Sequence, residues 1–201
     1  MDLAKSIQEV TEEIILKIAF HIKKETNMEN LCLAGGVALN CVANGKLIKE
    51  KIFEEIWIQP ASGDAGSSLG GALIGWHEYF KQPRKIYSSD AMNGTYLGCK
   101  FSNKEITDYL RKIGAPFETY EDDVLFEKIA QIIDEGKVVG WFNGAMEFGP
   151  RALGGRSILG DPRSETMQKN LNLKVKYRES FRPFAPSVLR EEVSNWFELN
   201  Y

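Results

Sequence analysis

Asn30-Leu31-Cys32-Leu33-Ala34-Gly35-Gly36, continued by Val37 to Ile48, changes its hydrophobic period halfway: a short apolar run stops at two glycines and helical spacing begins behind them. The change predicts a strand, a tight turn and a helix. The layout returns downstream. Ile56-Trp57-Ile58-Gln59-Pro60 reads as a strand stopped by proline, Ala61-Ser62-Gly63-Asp64-Ala65-Gly66-Ser67-Ser68 as a small-residue loop, and Leu69 to Phe80 as a helix. Two strand, glycine turn, helix units in succession predict an α/β fold.

Upstream, Ile7, Val10, Ile14, Ile15, Ile18, Ala19 and Ile22 recur at helical spacing, which predicts a long helix turned toward the core. Lys81 to Asn93 loses all period and gathers Pro83, Ser88, Ser89, Asp90 and Asn93, the composition of a linker, so a domain boundary is expected there. Beyond it, Ser102 or Asn103 should cap a helix through Ile113, and Asp122 or Asp123 a second through Asp134, ended by Gly136. Val138-Val139-Gly140-Trp141-Phe142 reads as a buried strand.

With 201 residues, 43% of them hydrophobic, the chain can bury a core as one large domain or two small ones. Lys and Arg number 25 against 28 Asp and Glu, and a net charge of -3 supplies no overall field for nucleic acid or an anionic membrane. Any anion site must therefore be local. The cysteines, Cys32, Cys41 and Cys99, lack zinc-ribbon or disulfide spacing. No apolar run reaches the roughly 20 residues of a membrane span. The expectation is a cytoplasmic protein.

Cations crowd the C-terminal third. Glu147-Phe148-Gly149-Pro150-Arg151-Ala152-Leu153-Gly154-Gly155-Arg156-Ser157 is followed by Lys174, Lys176, Arg178 and Arg182. Clustered Lys and Arg usually form a solvated face, and Asp161, Glu165 and Glu179 are available to pair with them. Interleaved Gly, Pro and Phe argue instead for buried loops that need an anionic ligand, because Arg forks match phosphate and carboxylate oxygens bidentately. Gly35-Gly36 is either a tight turn or a place where backbone amides meet a phosphate; with no Lys-Ser/Thr pair behind it, it is not a P-loop. Asp64 can cap a helix or ligate a metal. His21 and His77 fall within helical stretches, as surface or core-edge residues rather than bases.

Three ordered motifs, Leu33-Ala34-Gly35-Gly36-Val37-Ala38-Leu39-Asn40, Gln59-Pro60-Ala61-Ser62-Gly63-Asp64-Ala65-Gly66 and Glu147-Phe148-Gly149-Pro150-Arg151-Ala152-Leu153-Gly154, together resemble the NodU-type carbamoyltransferases. The likeness runs on through Phe181-Arg182-Pro183-Phe184-Ala185-Pro186-Ser187-Val188-Leu189. It implies that residues 1–85 are the C-terminal part of an actin, sugar-kinase and Hsp70-like domain, related to the threonylcarbamoyl-transferase of tRNA modification. Residues 86–201 would form a smaller α/β domain similar to threonylcarbamoyl-AMP synthase.

The implied chemistry starts from carbamoyl phosphate and ATP, which give carbamoyl-adenylate; its carbamoyl group then passes to the hydroxyl of a small-molecule acceptor, and AMP leaves. By resemblance, Arg151, Lys176 and Arg182 grip carbamoyl phosphate with Arg156 beside them, Gly35, Gly36, Val37 and Asn40 meet the nucleotide, and Asp64 is a metal-ligand carboxylate for iron or magnesium. Family members are more than twice as long and carry an HxxxH pair that joins this carboxylate on the metal. The chain is thus expected to be an internal fragment, inactive alone, that supplies one ligand of three. The competing expectation is a non-catalytic module that binds nucleotide or carbamoyl phosphate. Neither nucleic acid nor a membrane is expected as a partner, and an oligomer is open.

Overall fold

The structure, a computed structural model, describes residues 2–198. It is mixed α/β and divides into two compact units, Met1–Phe101 with Gly144–Gly155, and Ser102–Asn143 with Arg156–Tyr201.

In the first unit, helix α1 (Asp2–Thr26) leads to strand β1 (Asn30–Leu33), and a 3-10 turn over Gly36–Leu39 precedes α2 (Cys41–Lys49). Strand β2 (Glu55–Ile58) then pairs with β1 in parallel, Asn30 opposite Glu55 and Leu33 opposite Ile58. A parallel pair needs a crossover, which α2 supplies. Helix α3 (Asp64–Ile74) follows and loosens into a π-helical turn over Gly75–Tyr79. Ala19, Leu31, Leu47 and Phe53 form the buried cluster, with Ile15, Leu16, Leu33, Ile52 and Ile56 packed against it.

Two expectations need correction here. The helix after Gly36 is broken at Asn40, whose side-chain oxygen accepts from the Ala43 amide at 3.1 Å and starts α2 afresh. More consequentially, α1 turns only Ile15 and Ala19 of the expected stripe inward: Ile7 is 72% exposed, and Val10, Ile14 and Ile18 are half exposed. Its inward face carries Ala19, Ile15 and Leu16 together with the polar Gln8 and Glu12. Those two polar side chains are satisfied within the first unit: Gln8 exchanges amide hydrogen bonds with Asn40 at 3.1 and 2.8 Å, and Glu12 pairs with Lys46.

The second unit begins with α4 (Asn103–Lys112) and α5 (Asp122–Asp134), followed by an antiparallel pair, β3 (Val139–Phe142) with β4 (Arg156–Leu159). Ser102 and Glu105 close a capping box on α4. Strand β3 alternates half-buried and exposed residues, so it is not the fully buried strand expected of Val138 to Phe142. Short helix α6 (Met167–Asn170) runs into a π-helical turn over Leu171–Val175, and α7 (Val193–Trp196) lies near the end. Among the described residues, no helix is long and apolar enough to cross a membrane.

Candidate functional site

In the first unit the second and third sequence motifs meet. Gly149, at φ 132°, lies against the turn that precedes α3, such that a Cβ there would stand 3.2 Å from the Ala61 Cα and 3.4 Å from the Pro60 carbonyl oxygen. Only glycine allows both that conformation and that approach. The loop bearing Gly149 is anchored on its N-terminal side. The Phe148 amide donates to the Thr95 carbonyl at 2.7 Å, the Gly98 amide to Met146 at 2.8 Å, and the Met146 amide to Cys99 at 3.0 Å.

Glu147 gives the loop its form. Its carboxylate is buried, and Oε1 accepts from the amides of Leu153 at 2.7 Å and Gly155 at 2.8 Å. The tip of the loop, with Arg151, is exposed. Two further buried groups stand close in sequence to these anchor points: the hydroxyls of Ser62 and Thr95 have no hydrogen-bond partner among the described residues. The sequence reading gave no role to Glu147, Ser62 or Thr95. A carboxylate followed by eight residues of which five are Gly, Pro or Ala was the available signal for Glu147.

The glycine turn is open. Gly35 adopts φ 94°, Gly35, Gly36 and Val37 are exposed, and no atom lies within 4 Å of a Cβ placed on either glycine. Asn40 is different, since its side chain is committed to Ala43 and Gln8. Asp64 is the first residue of α3 and is exposed. Among the described residues no three His, Cys, Asp or Glu side chains converge, so the residues present do not by themselves fit a metal ion.

The other predicted cations belong to the second unit. Arg156 stands on β4, its guanidinium carbon 3.3 Å from the centre of the cross-strand Phe142 ring, and its Nη1 donates to the Asn143 carbonyl at 3.3 Å. That strand went unread in the sequence, because Gly154-Gly155 before it and Asp161-Pro162 after it leave only five residues of pattern, the last of them Gly160. Lys176 is exposed, directly after the π-helical turn. Arg182 donates through Nε to Glu179 Oε2 at 2.7 Å, a contact that lowers the Glu179 pKa and raises that of Arg182. These loops are not buried, contrary to the expectation drawn from their Gly, Pro and Phe content; Arg151 and Lys176 meet solvent instead.

Not every cation in the run is available. Arg163 is held by Asp161 through Nε at 2.8 Å and by Asp134 through Nη2 at 2.5 Å, which raises its pKa and lowers that of Asp161. A recess lined by Glu127, Gln131, Asp134, Asp161 and Arg163 sets three carboxylates against this one guanidinium and lacks the predicted site residues.

Two family models match the chain: one described as Carbamoyltransferase N-terminus over residues 1–73, the other as Carbamoyltransferase C-terminus over residues 130–201. The chain belongs to the carbamoyltransferase family. An uncharacterized protein of Synechocystis is 58% identical over all of the chain and 33% of its own length. The nodulation protein NolNO of Sinorhizobium fredii is 42% identical over 98% of the chain and 29% of its own length. The nodulation protein NolO of Bradyrhizobium diazoefficiens is 41% identical over 98% and 36%. The chain thus spans about a third of the length of the curated relatives it matches.

Proposed function

We propose that the chain is the part of an O-carbamoyltransferase that binds carbamoyl phosphate and nucleotide, in a protein that forms carbamoyl-adenylate and passes the carbamoyl group to a hydroxyl acceptor. The observation that carries this reading is the match to both carbamoyltransferase family models in order along one chain. The cation-bearing segments lie within the C-terminal match, at Arg151, Arg156, Lys176 and Arg182.

Each group has a physical task in this reading. Guanidinium and ammonium groups neutralise the phosphate and carbamoyl oxygens and stabilise charge that develops as phosphate leaves. The open backbone at Gly35, Gly36 and Val37 admits a nucleotide phosphate to its amides, whereas Asn40 acts by shaping the turn as the cap of α2. Water first cleaves carbamoyl phosphate to carbamate and phosphate; a carbamate oxygen then attacks the α-phosphorus of ATP, pyrophosphate leaves as the adenylate forms, and AMP leaves when the acceptor oxygen, losing its proton, attacks the carbamoyl carbon. No step is assigned to a metal on Asp64. The domains would be the kinase-like and threonylcarbamoyl-AMP-synthase-like folds, acting in a soluble setting without nucleic acid.

A protein of the relatives' length that carries this sequence should release pyrophosphate from ATP when given carbamoyl phosphate. Arg151→Ala or Lys176→Ala should each slow that release by about a hundred-fold or more, as loss of a preorganised charge does. Unchanged rates in both variants overturn the assignment. Ligand binding without turnover in the parent protein would establish the non-catalytic module instead.

A further inference from the structure

A helix that packs on an apolar core rarely gives inward positions to Gln and Glu, yet α1 does so with Gln8 and Glu12. Both belong to one chain of hydrogen bonds that crosses three elements of the first unit. Lys46 of α2 pairs with Oε2 of the buried Glu12 carboxylate, and Oε1 accepts from Gln8 Nε2 at 2.7 Å. Gln8 Nε2 also donates to Asn40 Oδ1 at 3.1 Å, and Asn40 Nδ2 donates back to Gln8 Oε1 at 2.8 Å. Asn40 Oδ1 accepts in addition from the Ala43 amide at 3.1 Å.

The order of donors and acceptors leaves each amide a single orientation. An ionised carboxylate only accepts, so Gln8 must turn its NH2 toward Glu12; a backbone amide only donates, so Asn40 must turn its oxygen toward Ala43. The reciprocal pair between Gln8 and Asn40 meets both requirements at once. Flipping either amide would set oxygen against oxygen at Glu12 or nitrogen against nitrogen at Ala43. Asn40 is thereby fixed from α1, 32 residues away in sequence.

Asn40 also closes the glycine turn. Its amide donates to the Val37 carbonyl at 2.9 Å, and the Ala38 amide to that of Gly35 at 3.0 Å. Asn44 of α2, itself buried, donates through Nδ2 to the Ala38 carbonyl at 2.8 Å. The turn is therefore tied to α1 and α2 through Ala38 and Asn40, whereas Gly35, Gly36 and Val37 are exposed.

We propose that Gln8 is a positioning residue for the turn at Gly35, Gly36 and Val37, acting through Asn40, with Glu12 setting the direction of the Gln8 amide. This rests on the reading of that turn as a nucleotide site and deepens it. Backbone amides hold a phosphate best when they already point at it, and a turn tied at its end binds without a further loss of chain freedom.

The test is calorimetry with ATP on the 201-residue chain, joined to Tm and to amide hydrogen exchange followed by NMR. Gln8→Met, close in volume and without the amide, should weaken ATP binding about five-fold, the worth of one net hydrogen bond. It should also speed exchange of the Ala38 and Asn40 amides. Phe53→Leu, in the apolar cluster and outside this chain of bonds, should lower Tm by a comparable amount and leave affinity within about two-fold. Adding Gln8→Met to Asn40→Ala should weaken binding no further than Asn40→Ala alone, because the two side chains act as one unit.

Wild-type affinity in Gln8→Met overturns this inference and leaves the nucleotide reading standing. An equal loss of affinity in Phe53→Leu reduces Gln8 to a stabilising residue and overturns the positioning role. Absence of ATP binding to the wild-type chain overturns both readings together. Should Gln8→Met fail to fold, Gln8→Ala, which adds no bulk, decides by the same readouts.

Discussion

Glu12 is a carboxylate on the inward face of α1, where an apolar residue would be the ordinary choice. Its hydrogen bond with Lys46, then that with Gln8, holds its pKa below the usual carboxylate value, and the same pairing raises that of Lys46. A depressed folded-state pKa stabilises the fold fully above the unfolded value of about 4.3, and the contribution is lost as pH falls through the folded value. The raised Lys46 pKa acts at the other end: its contribution is complete below the unfolded value of about 10.4 and is lost as pH rises through the folded one. Glu12→Gln should therefore lower Tm at neutral pH and reduce the slope of Tm against pH between about pH 2 and pH 6. An unaltered acid slope would show that the pair contributes nothing. None of this was legible in the sequence, because a Glu at a helical position reads as solvent-facing unless its partner is known, and Lys46 is on another helix. Arg163 gives the opposite lesson, since Asp161 two residues away was a visible partner, as Glu179 was for Arg182.

Among the elements, α4 was the most readable. Ser102 accepts from the Glu105 amide at 3.2 Å while the Glu105 carboxylate accepts from the Ser102 amide at 2.8 Å, so a local pattern of four residues determines where the helix starts. Ser102→Ala should cost about 1 kcal/mol in denaturant unfolding of the second unit. Retention of full stability would mean the first turn is held by something else. Strands β1 and β2 were legible for a related reason, since glycine and proline punctuate them, whereas α3 begins at Asp64, within the Ala61 to Ser68 stretch read as a loop. Helix α5 was read with a side-chain cap, yet its N-cap is Glu121 and makes no such bond. The π-helical turns at Gly75–Tyr79 and Leu171–Val175 were invisible, because one extra residue per turn leaves no mark in a periodicity of 3.6.

For the whole molecule, the apolar stripe of α1 is a face that the described fold leaves largely exposed. Ile7 is 72% exposed and Ile14 50%, so they add little to the stability of the described fold. Ile7→Glu with Ile14→Glu should leave stability within about 0.5 kcal/mol and lower light scattering at high protein concentration. A large loss of stability would place the stripe inside a core after all. Periodicity revealed the stripe but not its direction, which depends on what Gln8 and Glu12 meet on the opposite face. The path of the chain carries a different consequence. Residues 144–155 belong to the first unit, whereas the segments on both sides of them belong to the second. During synthesis, the carbonyls of Thr95 and Cys99 cannot receive the amides of Phe148 and Met146 until about fifty residues after Phe101 have emerged, several seconds at ribosomal speed. The first unit is thus finished only after much of the second has been made, and a nascent chain stalled between α4 and β3 would leave the Pro60-Ala61 turn uncovered.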